Sequence, residues 1–318
     1  MIITISLNPA IDKTVGIADF QVGTVNRVSS VRYDAGGKGI NVSKVIQSLG
    51  GKSKAVGILG GTAGSFIKDF LEHSGVENDF HFIKSETRTN LKVVDHRNNT
   101  NTDINEAGPE VSEEDIAILK RKVINNLGKK AVVVFSGSVP VNVDKGIYGE
   151  WILAAKQRGA LTILDADGEL LKYGIAAGPF LVKPNIHELE RFFETRISDV
   201  HEAERLARSL IQQYDIEQVV VSLGEKGAIF LNKDCSVLAH GINVEVKSTV
   251  GAGDSIVAAL AYSLEREYDF TKAIRLAVAA GTANVMTSGS LAAEYQTIVK
   301  LEKRVTMEYI YTNSSKGW

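Results

Sequence analysis

Residues 248–255 read Ser-Thr-Val-Gly-Ala-Gly-Asp-Ser and lead directly into an alanine-rich apolar helix pattern at residues 256–264. Backbone N–H groups at the glycine-rich start of a helix bind anions, and the helix dipole adds positive charge there. Taken alone, Asp254 in the first turn would only compensate the dipole. Beside an anion site, a carboxylate is also placed to accept a proton from an attacking hydroxyl. Phosphoryl transfer requires this combination, so the stretch predicts it, with Asp254 as the base.

The two common nucleotide-binding fingerprints are absent from the sequence. A P-loop requires G-x-x-x-x-G-K-[ST], but Ile46 stands at the leading position before Gly51-Lys52-Ser53. A dinucleotide fingerprint requires G-x-G-x-x-G, and both G-x-G segments, at residues 37–42 and 251–256, lack the third glycine. A dinucleotide-dependent oxidoreductase is therefore disfavoured.

The composition is that of an ordinary globular protein. The 318 residues are 44% hydrophobic and 23% charged, and the formal net charge of −2 argues against nucleic acid as a partner. Cys235 is the single cysteine, which favours a reducing compartment. The first residues carry no secretory signal pattern, and no apolar run approaches the roughly 20 residues of a membrane span. We expect a cytoplasmic protein without a membrane partner.

Short apolar strands alternate with amphipathic helices along most of the chain. Val42, Val45, Ile46 and Leu49 have helical spacing, and Ser112 precedes three acids at another helix start. Repeated strand–helix units predict a right-handed α/β sandwich around a parallel sheet. The predicted buried strands are Ile2 to Leu7, Ala131 to Phe135, Leu161 to Leu164, Phe180 to Val182 and Val219 to Leu223.

Two polar, extended stretches, at about residues 12–34 and 88–107, interrupt this alternation. They are either long surface loops or strands of a second, small sheet. Unstructured loops of this length are uncommon in compact domains, so we favour a small β-sheet inserted as a lid. No linker or internal repeat divides the chain, and residues 1–318 are predicted to form a single domain.

Two glycine-rich motifs resemble the signatures of the PfkB/ribokinase family of carbohydrate kinases. Residues 36–42, Gly-Gly-Lys-Gly-Ile-Asn-Val, are similar to the N-terminal signature, and residues 251–254, Gly-Ala-Gly-Asp, to the C-terminal one. The similarity extends from the first strand to about residue 290. It includes residues 6–12, 87–90, 136–140, 183–189 and 222–227. The resemblance implies a ribokinase-like three-layer α/β/α sandwich with a β-sheet lid, and an enzyme that uses ATP and Mg²⁺.

The resemblance also implies roles for residues on the nucleotide side. Asp254 would activate the acceptor hydroxyl, and Gly251, Ala252 and Gly253 would hold the γ-phosphate. Asn185 and Glu188 would organise Mg²⁺ through water, although Asn185 can equally be read as a helix cap. The turn at 222–227 can be read as an ordinary glycine turn, but the family places it along ATP. The residues assigned to ATP binding are Lys183, Asn185, Ser222, Gly224, Gly227, Ser248 and Asn284.

On the acceptor side, the resemblance implies a site for a sugar that already carries a phosphate. Asp12 and Asn41 would contact the sugar hydroxyls, and Gly37 would belong to the same substrate-binding site. Lys38, Arg88 and Ser138 would hold the existing phosphate, because lysine and the planar guanidinium of arginine suit phosphate oxygens. Arg27, on the predicted lid, would reach the site of a neighbouring subunit. A lid with one apolar face would be unstable alone, which predicts a homodimer formed through the lids.

Asp165 and Asp167 follow a predicted strand and precede Gly168. We interpret both as caps of the turn and helix at that glycine, with an indirect role at the metal as the alternative. The histidines are scattered without metal-ligand spacing.

Residues 87–92 and 103–109 resemble the branch of the family that phosphorylates D-fructose 1-phosphate to D-fructose 1,6-bisphosphate. A tagatose-6-phosphate kinase is the nearest alternative. A 6-phosphofructokinase of the same family comes third, because Lys38 stands where that branch would be expected to have glycine. The alternative from another class is a sugar-phosphate sensor without catalytic activity. The presence of Asp254 beside an intact anion site argues against it.

Overall fold

The computed structural model describes residues 1–125, 127–287, 289 and 291–312, which form fifteen strands and ten helices. The strands are β1 (Ile2–Ser6), β2 (Ala10–Ile17), β3 (Val28–Gly36), β4 (Ser53–Gly60), β5 (Glu77–Asn78), β6 (His81–Ile83), β7 (Arg88–Asp95), β8 (Thr100–Asn105), β9 (Val132–Ser136), β10 (Leu161–Asp165), β11 (Leu181–Val182), β12 (Gln218–Ser222), β13 (Gly227–Asn232), β14 (Cys235–His240) and β15 (Met307–Thr312). The helices are α1 (Lys38–Ser48), α2 (Gly61–His73), α3 (Glu113–Asn125), α4 (Ile147–Gln157), α5 (Gly168–Ala176), α6 (Ile186–Phe193), α7 (Val200–Tyr214), α8 (Ala252–Glu265), α9 (Phe270–Val285) and α10 (Tyr295–Glu302).

The main sheet contains eleven strands, in the order β15-β14-β13-β12-β11-β10-β9-β1-β4-β5, with β6 also paired to β4. The strands from β12 to β5 run parallel, and β13, β14 and β15 add an antiparallel end. The five buried strands predicted from the sequence are confirmed as β1, β9, β10, β11 and β12.

Helices cover both faces of the main sheet. Side chains of a strand alternate between its faces, so Val133 and Phe135 of β9 join one apolar core while Val132 and Val134 join the other. Helices α3 to α7 pack on the first face, and α1, α8, α9 and α10 on the second. The predicted three-layer α/β/α sandwich is therefore confirmed.

A second sheet has four strands in the order β3-β2-β7-β8. Its register places Asp12 opposite Asp34 and Asn90, and it places Lys92 opposite Asp103. Because side chains alternate, these polar residues share one face of the sheet. The other face is apolar and includes Val15, which packs in a small buried cluster with Ile17 and Val93.

The carboxyl ends of the parallel strands meet at one edge of the main sheet. Ser6 ends β1, Ser136 ends β9 and Asp165 ends β10, and Lys183 directly follows β11. Ligands of open α/β sheets bind at this edge. Among the described residues, we find no helix with the length and apolar character that spanning a membrane would require.

Candidate functional site

A cavity of about 650 Å³ lies where the carboxyl edge of the main sheet meets the polar face of the second sheet. Its walls include Asp165 and Lys183 from the main sheet, Asp254 from α8, and Asp12 and Arg88 from the second sheet. The cavity therefore brings together residues that lie more than two hundred positions apart in the sequence.

The start of α8 forms an anion site at one wall of this cavity. Gly251 precedes the helix with φ of 80°, a left-handed conformation that favours glycine. The first N–H groups of a helix have no acceptor within the helix, so they remain available to an anion. A Cβ on Gly253 would lie 3.4 Å from Lys183 Nζ, which places that ammonium group beside the same helix start.

Asp254 is 6% exposed, and its Oδ2 accepts a hydrogen bond of 2.8 Å from Asn41 Nδ2. Burial raises the pKa of Asp254, and the negative charge of Asp165 raises it further. Lys38, Lys183 and the hydrogen bond from Asn41 act in the opposite direction, and the resulting pKa is about 6. A carboxylate with this pKa is ionised at neutral pH and is still a useful proton acceptor.

Asp165 is a buried ion-pair partner of two lysines. Its Oδ1 lies 3.1 Å from Lys38 Nζ and 3.2 Å from Lys183 Nζ. Burial alone would raise the pKa of Asp165, but Lys183 and Lys38 hold it below its usual range. Burial likewise opposes the charge on Lys38, yet Asp165, Asp254 and Glu188 raise the pKa of this lysine above its ordinary value.

The interpretation of Asp165 as a cap is therefore wrong. The side chain of Asp165 faces the two lysines, which are brought to it only by the tertiary fold. Asp167 stands at the N-cap position of α5, but its side chain makes no capping hydrogen bond.

The second sheet contributes the opposite wall of the cavity. Arg88 donates from Nε and Nη2 to the carbonyl oxygen of Asn8 and from Nη1 to that of Glu106, so carbonyls rather than a carboxylate hold its guanidinium. Asp12 Oδ1 accepts a hydrogen bond of 3.1 Å from Asn90, and burial raises the pKa of Asp12. A Cβ on Gly36 would lie 2.2 Å from Asp12 Oδ2, so this glycine gives Asp12 its space.

Residues 2–297 match the family described as pfkB family carbohydrate kinase. The chain is a member of the pfkB family. As such, it is a kinase that transfers a phosphoryl group from ATP to a sugar.

The pfkB relatives align over most of the chain. The chain is 35% identical to the 1-phosphofructokinase of Borreliella burgdorferi over 314 residues, which cover 98% of this chain and 100% of the relative. It is 33% identical to a tagatose-6-phosphate kinase of Staphylococcus epidermidis, with 90% of this chain and 92% of the relative covered.

The fold of this pfkB kinase is similar to that of phosphofructokinase-2 from Escherichia coli. The crystal structure of that protein in complex with fructose-6-phosphate superposes with a TM-score of 0.90 at 27% identity, covering 95% of this chain and 98% of the other. The same E. coli protein has been solved in a tetrameric inhibited form, with a TM-score of 0.89 at 28% identity and the same coverage.

Most of the predicted site residues of this pfkB kinase line the cavity between the two sheets. They are Asp12, Gly37, Lys38, Asn41, Arg88, Ser138, Lys183, Asn185, Glu188, Ser222, Gly251, Gly253 and Asp254. Ala252 lies between two of them in the sequence, as the first residue of α8.

Besides Ala252, five predicted residues do not line the cavity: Arg27, Gly224, Gly227, Ser248 and Asn284. Arg27 is exposed in the connection between β2 and β3. Gly227 packs against the backbone of β14, where a Cβ would lie 2.1 Å from the carbonyl oxygen of Ala239. Asn284 is buried behind Gly251 and donates to the carbonyl oxygen of Leu291.

Asn185 and Glu188 form a reciprocal capping box at the start of α6. Asn185 Oδ1 accepts from the N–H of Glu188, and Glu188 Oε2 accepts from the N–H of Asn185. The reading of Asn185 as a cap is thus correct for its side-chain oxygen. Oε1 of Glu188 has no hydrogen bond among the described residues, and Glu188 lines the cavity.

Asn185 and Glu188 fit a Mg²⁺ site only if water molecules lie between them and the ion. In the described part of the chain, no group of three His, Cys, Asp or Glu side chains is arranged to hold a metal. Mg²⁺ keeps several waters and binds one or two carboxylates together with substrate phosphates, which one carboxylate at the cavity wall can support.

Sequence reasoning missed several residues of the cavity wall, chiefly Asp165, Lys92 and Asp103. Lys92 and Asp103 form an ion pair across β7 and β8. The alternation of Arg88, Asn90 and Lys92 along β7 was the available signal, because alternate residues of a strand share a face.

Proposed function

We propose that this pfkB kinase transfers the γ-phosphoryl group of ATP to the 6-hydroxyl of D-fructose 1-phosphate, forming D-fructose 1,6-bisphosphate. The observation that carries the chemistry is the buried carboxylate of Asp254 at the start of α8, beside Lys183 and inside a cavity with a polar opposite wall. The full-length relative named 1-phosphofructokinase supports the choice of sugar.

The second sheet also supports this choice of sugar. The two segments that resemble the fructose 1-phosphate branch, at residues 87–92 and 103–109, include Arg88, Asn90, Lys92, Asp103 and Asn105. All five of these residues line the cavity. The segments therefore lie where an acceptor sugar would be recognised.

In the proposed reaction, Asp254 accepts the proton of the 6-hydroxyl as the oxygen attacks the γ-phosphorus in line with the departing ADP. The N–H groups at Gly251, Ala252 and Gly253 stabilise the charge that grows on the transferred group. Donors that are already in place before the reaction typically contribute about 3–4 kcal/mol each to lowering such a barrier. Lys183 adds a positive charge beside them.

The proposed acceptor contacts divide into two groups. Asp12, Gly37 and Asn41 contact the sugar hydroxyls, while Lys38, Arg88 and Ser138 bind the phosphate on C1. Ser138 is supported by Asn8, whose Nδ2 lies 3.4 Å from its Oγ. This places cations at the phosphate and hydrogen-bonding groups at the ring.

The proposed nucleotide contacts follow the carboxyl edge of the main sheet and the start of α8. They are Lys183, Asn185, Ser222, Gly224, Gly227, Ser248 and Asn284, and for Gly227 and Asn284 the role is to shape the backbone on which ATP lies. Asn185 and Glu188 would hold Mg²⁺ through its waters, where the ion would neutralise charge on the ATP phosphates.

The test is release of ADP with Mg-ATP against D-fructose 1-phosphate, D-tagatose 6-phosphate and D-fructose 6-phosphate at matched concentrations. We expect kcat/KM for fructose 1-phosphate to exceed the other two at least tenfold, which corresponds to about 1.4 kcal/mol. A preference for either 6-phosphate would overturn the substrate and leave the catalytic roles intact. No turnover with any of them would instead support a sugar-phosphate sensor.

Tagatose 6-phosphate is the second candidate substrate. It is favoured by the relative from S. epidermidis, which matches 90% of this chain at an identity only slightly lower than that of the 1-phosphofructokinase. Both candidates require the same base and the same anion site, so they differ only in how the acceptor wall binds the sugar.

The carboxyl of Asp254 should titrate near pH 6, well above the ordinary range of aspartate, because it is buried beside Asp165. The base is then ionised above this pH and protonated below it, so the enzyme loses its proton acceptor in mild acid. The titration can be followed by ¹³C NMR of aspartate carboxyl carbons, with the signal identified by its loss in Asp254→Asn. A midpoint near pH 4 would contradict this account of the site.

We also propose a homodimer formed through the second sheets. Val31 and Tyr33 lie on the apolar face of that sheet and are 51% and 49% exposed, and Ile104 of β8 is 52% exposed. In such a dimer, Arg27 would reach the partner's cavity. Light scattering should give twice the mass of the chain at micromolar concentration, and a stable monomer would contradict the proposal.

A cytoplasmic location is proposed because Cys235 is the single cysteine, which suits a reducing compartment.

A further inference from the structure

A single carboxylate oxygen joins two cationic side chains from different walls of the cavity. Oδ1 of Asp165 accepts from both Lys38 and Lys183, while its Oδ2 is buried and has no hydrogen-bond partner among the described residues. Asp165 itself is 1% exposed. A carboxylate buried this deeply requires compensation, and the two ammonium groups supply it.

The two lysines belong to different halves of the proposed site. Lys38 is the first residue of α1 and packs on Gly137, next to Ser138 on the acceptor side. Lys183 lies beside Gly253, where the transferred phosphoryl group would be held. Under the proposed function, one lysine therefore serves the sugar phosphate and the other serves ATP.

Asp165 and Asp254 together balance the charges of the two lysines. Asp254 interacts with Lys38, Lys183 and Asp165, so the four groups are neutral as a set, and both lysines remain charged where the two phosphates are proposed to bind. Without Asp165, both ammonium groups would lose the oxygen that they share, and only Asp254 would remain as a carboxylate that interacts with both.

We propose that Asp165 is a positioning residue that couples the acceptor and nucleotide halves of the site by fixing Lys38 and Lys183 through one oxygen atom. This inference rests on the proposed function, because that function assigns the two lysines to two different substrates. It gives a role to Asp165, a residue that lies outside both glycine-rich motifs. It also explains why a charged group is buried at the end of β10.

The first test is Asp165→Asn. We expect KM for fructose 1-phosphate and KM for ATP each to rise at least tenfold, because both lysines lose their fixed position. We also expect the ¹³C midpoint of Asp254 to move to lower pH, since the negative charge of Asp165 contributes to raising it. A residue that only supports the fold would lower the melting temperature without this combination of effects.

Asp215→Asn is the matched control. Asp215 is exposed, lies outside the cavity and has a left-handed backbone that asparagine also adopts readily. Its substitution removes the same charge, and both KM values should stay within about twofold of the wild type. An Asp165→Asn variant in which only one KM changes, or in which the Asp254 midpoint is unmoved, would overturn the proposal.

A double-mutant cycle of Lys38→Met and Lys183→Met keeps the proposal testable if Asp165→Asn does not fold. Shared dependence on one carboxylate predicts that the effects on kcat/KM are not additive, and strict additivity would overturn it. If the wild type prefers another sugar phosphate, the same measurements are made with that sugar. The proposed substrate would then be wrong, but the measurements on Asp165→Asn and on the lysine variants would still decide whether Asp165 couples the two halves of the site.

Discussion

Asp254→Asn should lower kcat by about 10²- to 10⁴-fold, the range that a positioned general base contributes. The amide is nearly the same size as the carboxylate, and the anion site at the start of α8 is unchanged. The asparagine amide, however, cannot accept the proton of the attacking hydroxyl. Binding of the sugar phosphate and of ATP should therefore persist, and calorimetric titration of the variant with each ligand would show this.

Asp199→Asn provides the control for this substitution. Asp199 caps α7 by accepting from the N–H of Glu202, and asparagine caps helices about as well as aspartate. The control should therefore keep wild-type kcat. Near-normal turnover by Asp254→Asn would show that another group removes the proton and that the assignment of the base is wrong.

Arg88→Met should raise KM for the sugar phosphate by about 10- to 100-fold, with a smaller effect on KM for ATP. The guanidinium lines the cavity and is oriented by hydrogen bonds to the carbonyl oxygens of Asn8 and Glu106, so its charge is not tied up in a hydrogen-bonded ion pair with a carboxylate. A charged hydrogen bond of this kind contributes about 1.5–3 kcal/mol. Initial-rate kinetics with each substrate varied in turn would measure the effect.

Arg97→Met is the matched control, in the turn that joins β7 to β8. Arg97 is largely exposed, pairs with Asp19 and lies outside the cavity, so its loss should leave both KM values nearly unchanged. If Arg88→Met raised KM for ATP as much as KM for the sugar phosphate, the assignment of this arginine to the acceptor side would be contradicted.

Local patterns in the sequence were sufficient to predict the main sheet. Short runs such as residues 131–135 are apolar on both faces, which is the pattern of a parallel strand covered by helices. The start of α8 was also predictable. Glycine readily adopts the left-handed conformation found before this helix, and the alanine-rich run that follows favours a helix. These features depend on neighbours in the sequence.

The role of Asp165 could not be predicted in this way. Its partners are Lys38, 127 residues earlier, and Lys183, and only the order of strands in the sheet brings the three together. From the sequence alone, an aspartate three residues before Gly168 resembles a helix cap. Gly227 was assigned to ATP because the family resemblance places its turn along the nucleotide, and its close contact with Ala239 of β14 becomes visible only in the structure.

The measurement that tests the central claim most directly is ³¹P NMR of the reaction of Mg-ATP with D-fructose 1-phosphate. The account predicts that the γ-phosphate signal of ATP is replaced, one for one, by a second phosphomonoester on the sugar, and that Asp254→Asn abolishes this conversion on the same time scale. Appearance of inorganic phosphate without a sugar bisphosphate, or no loss of ATP at all, would contradict it.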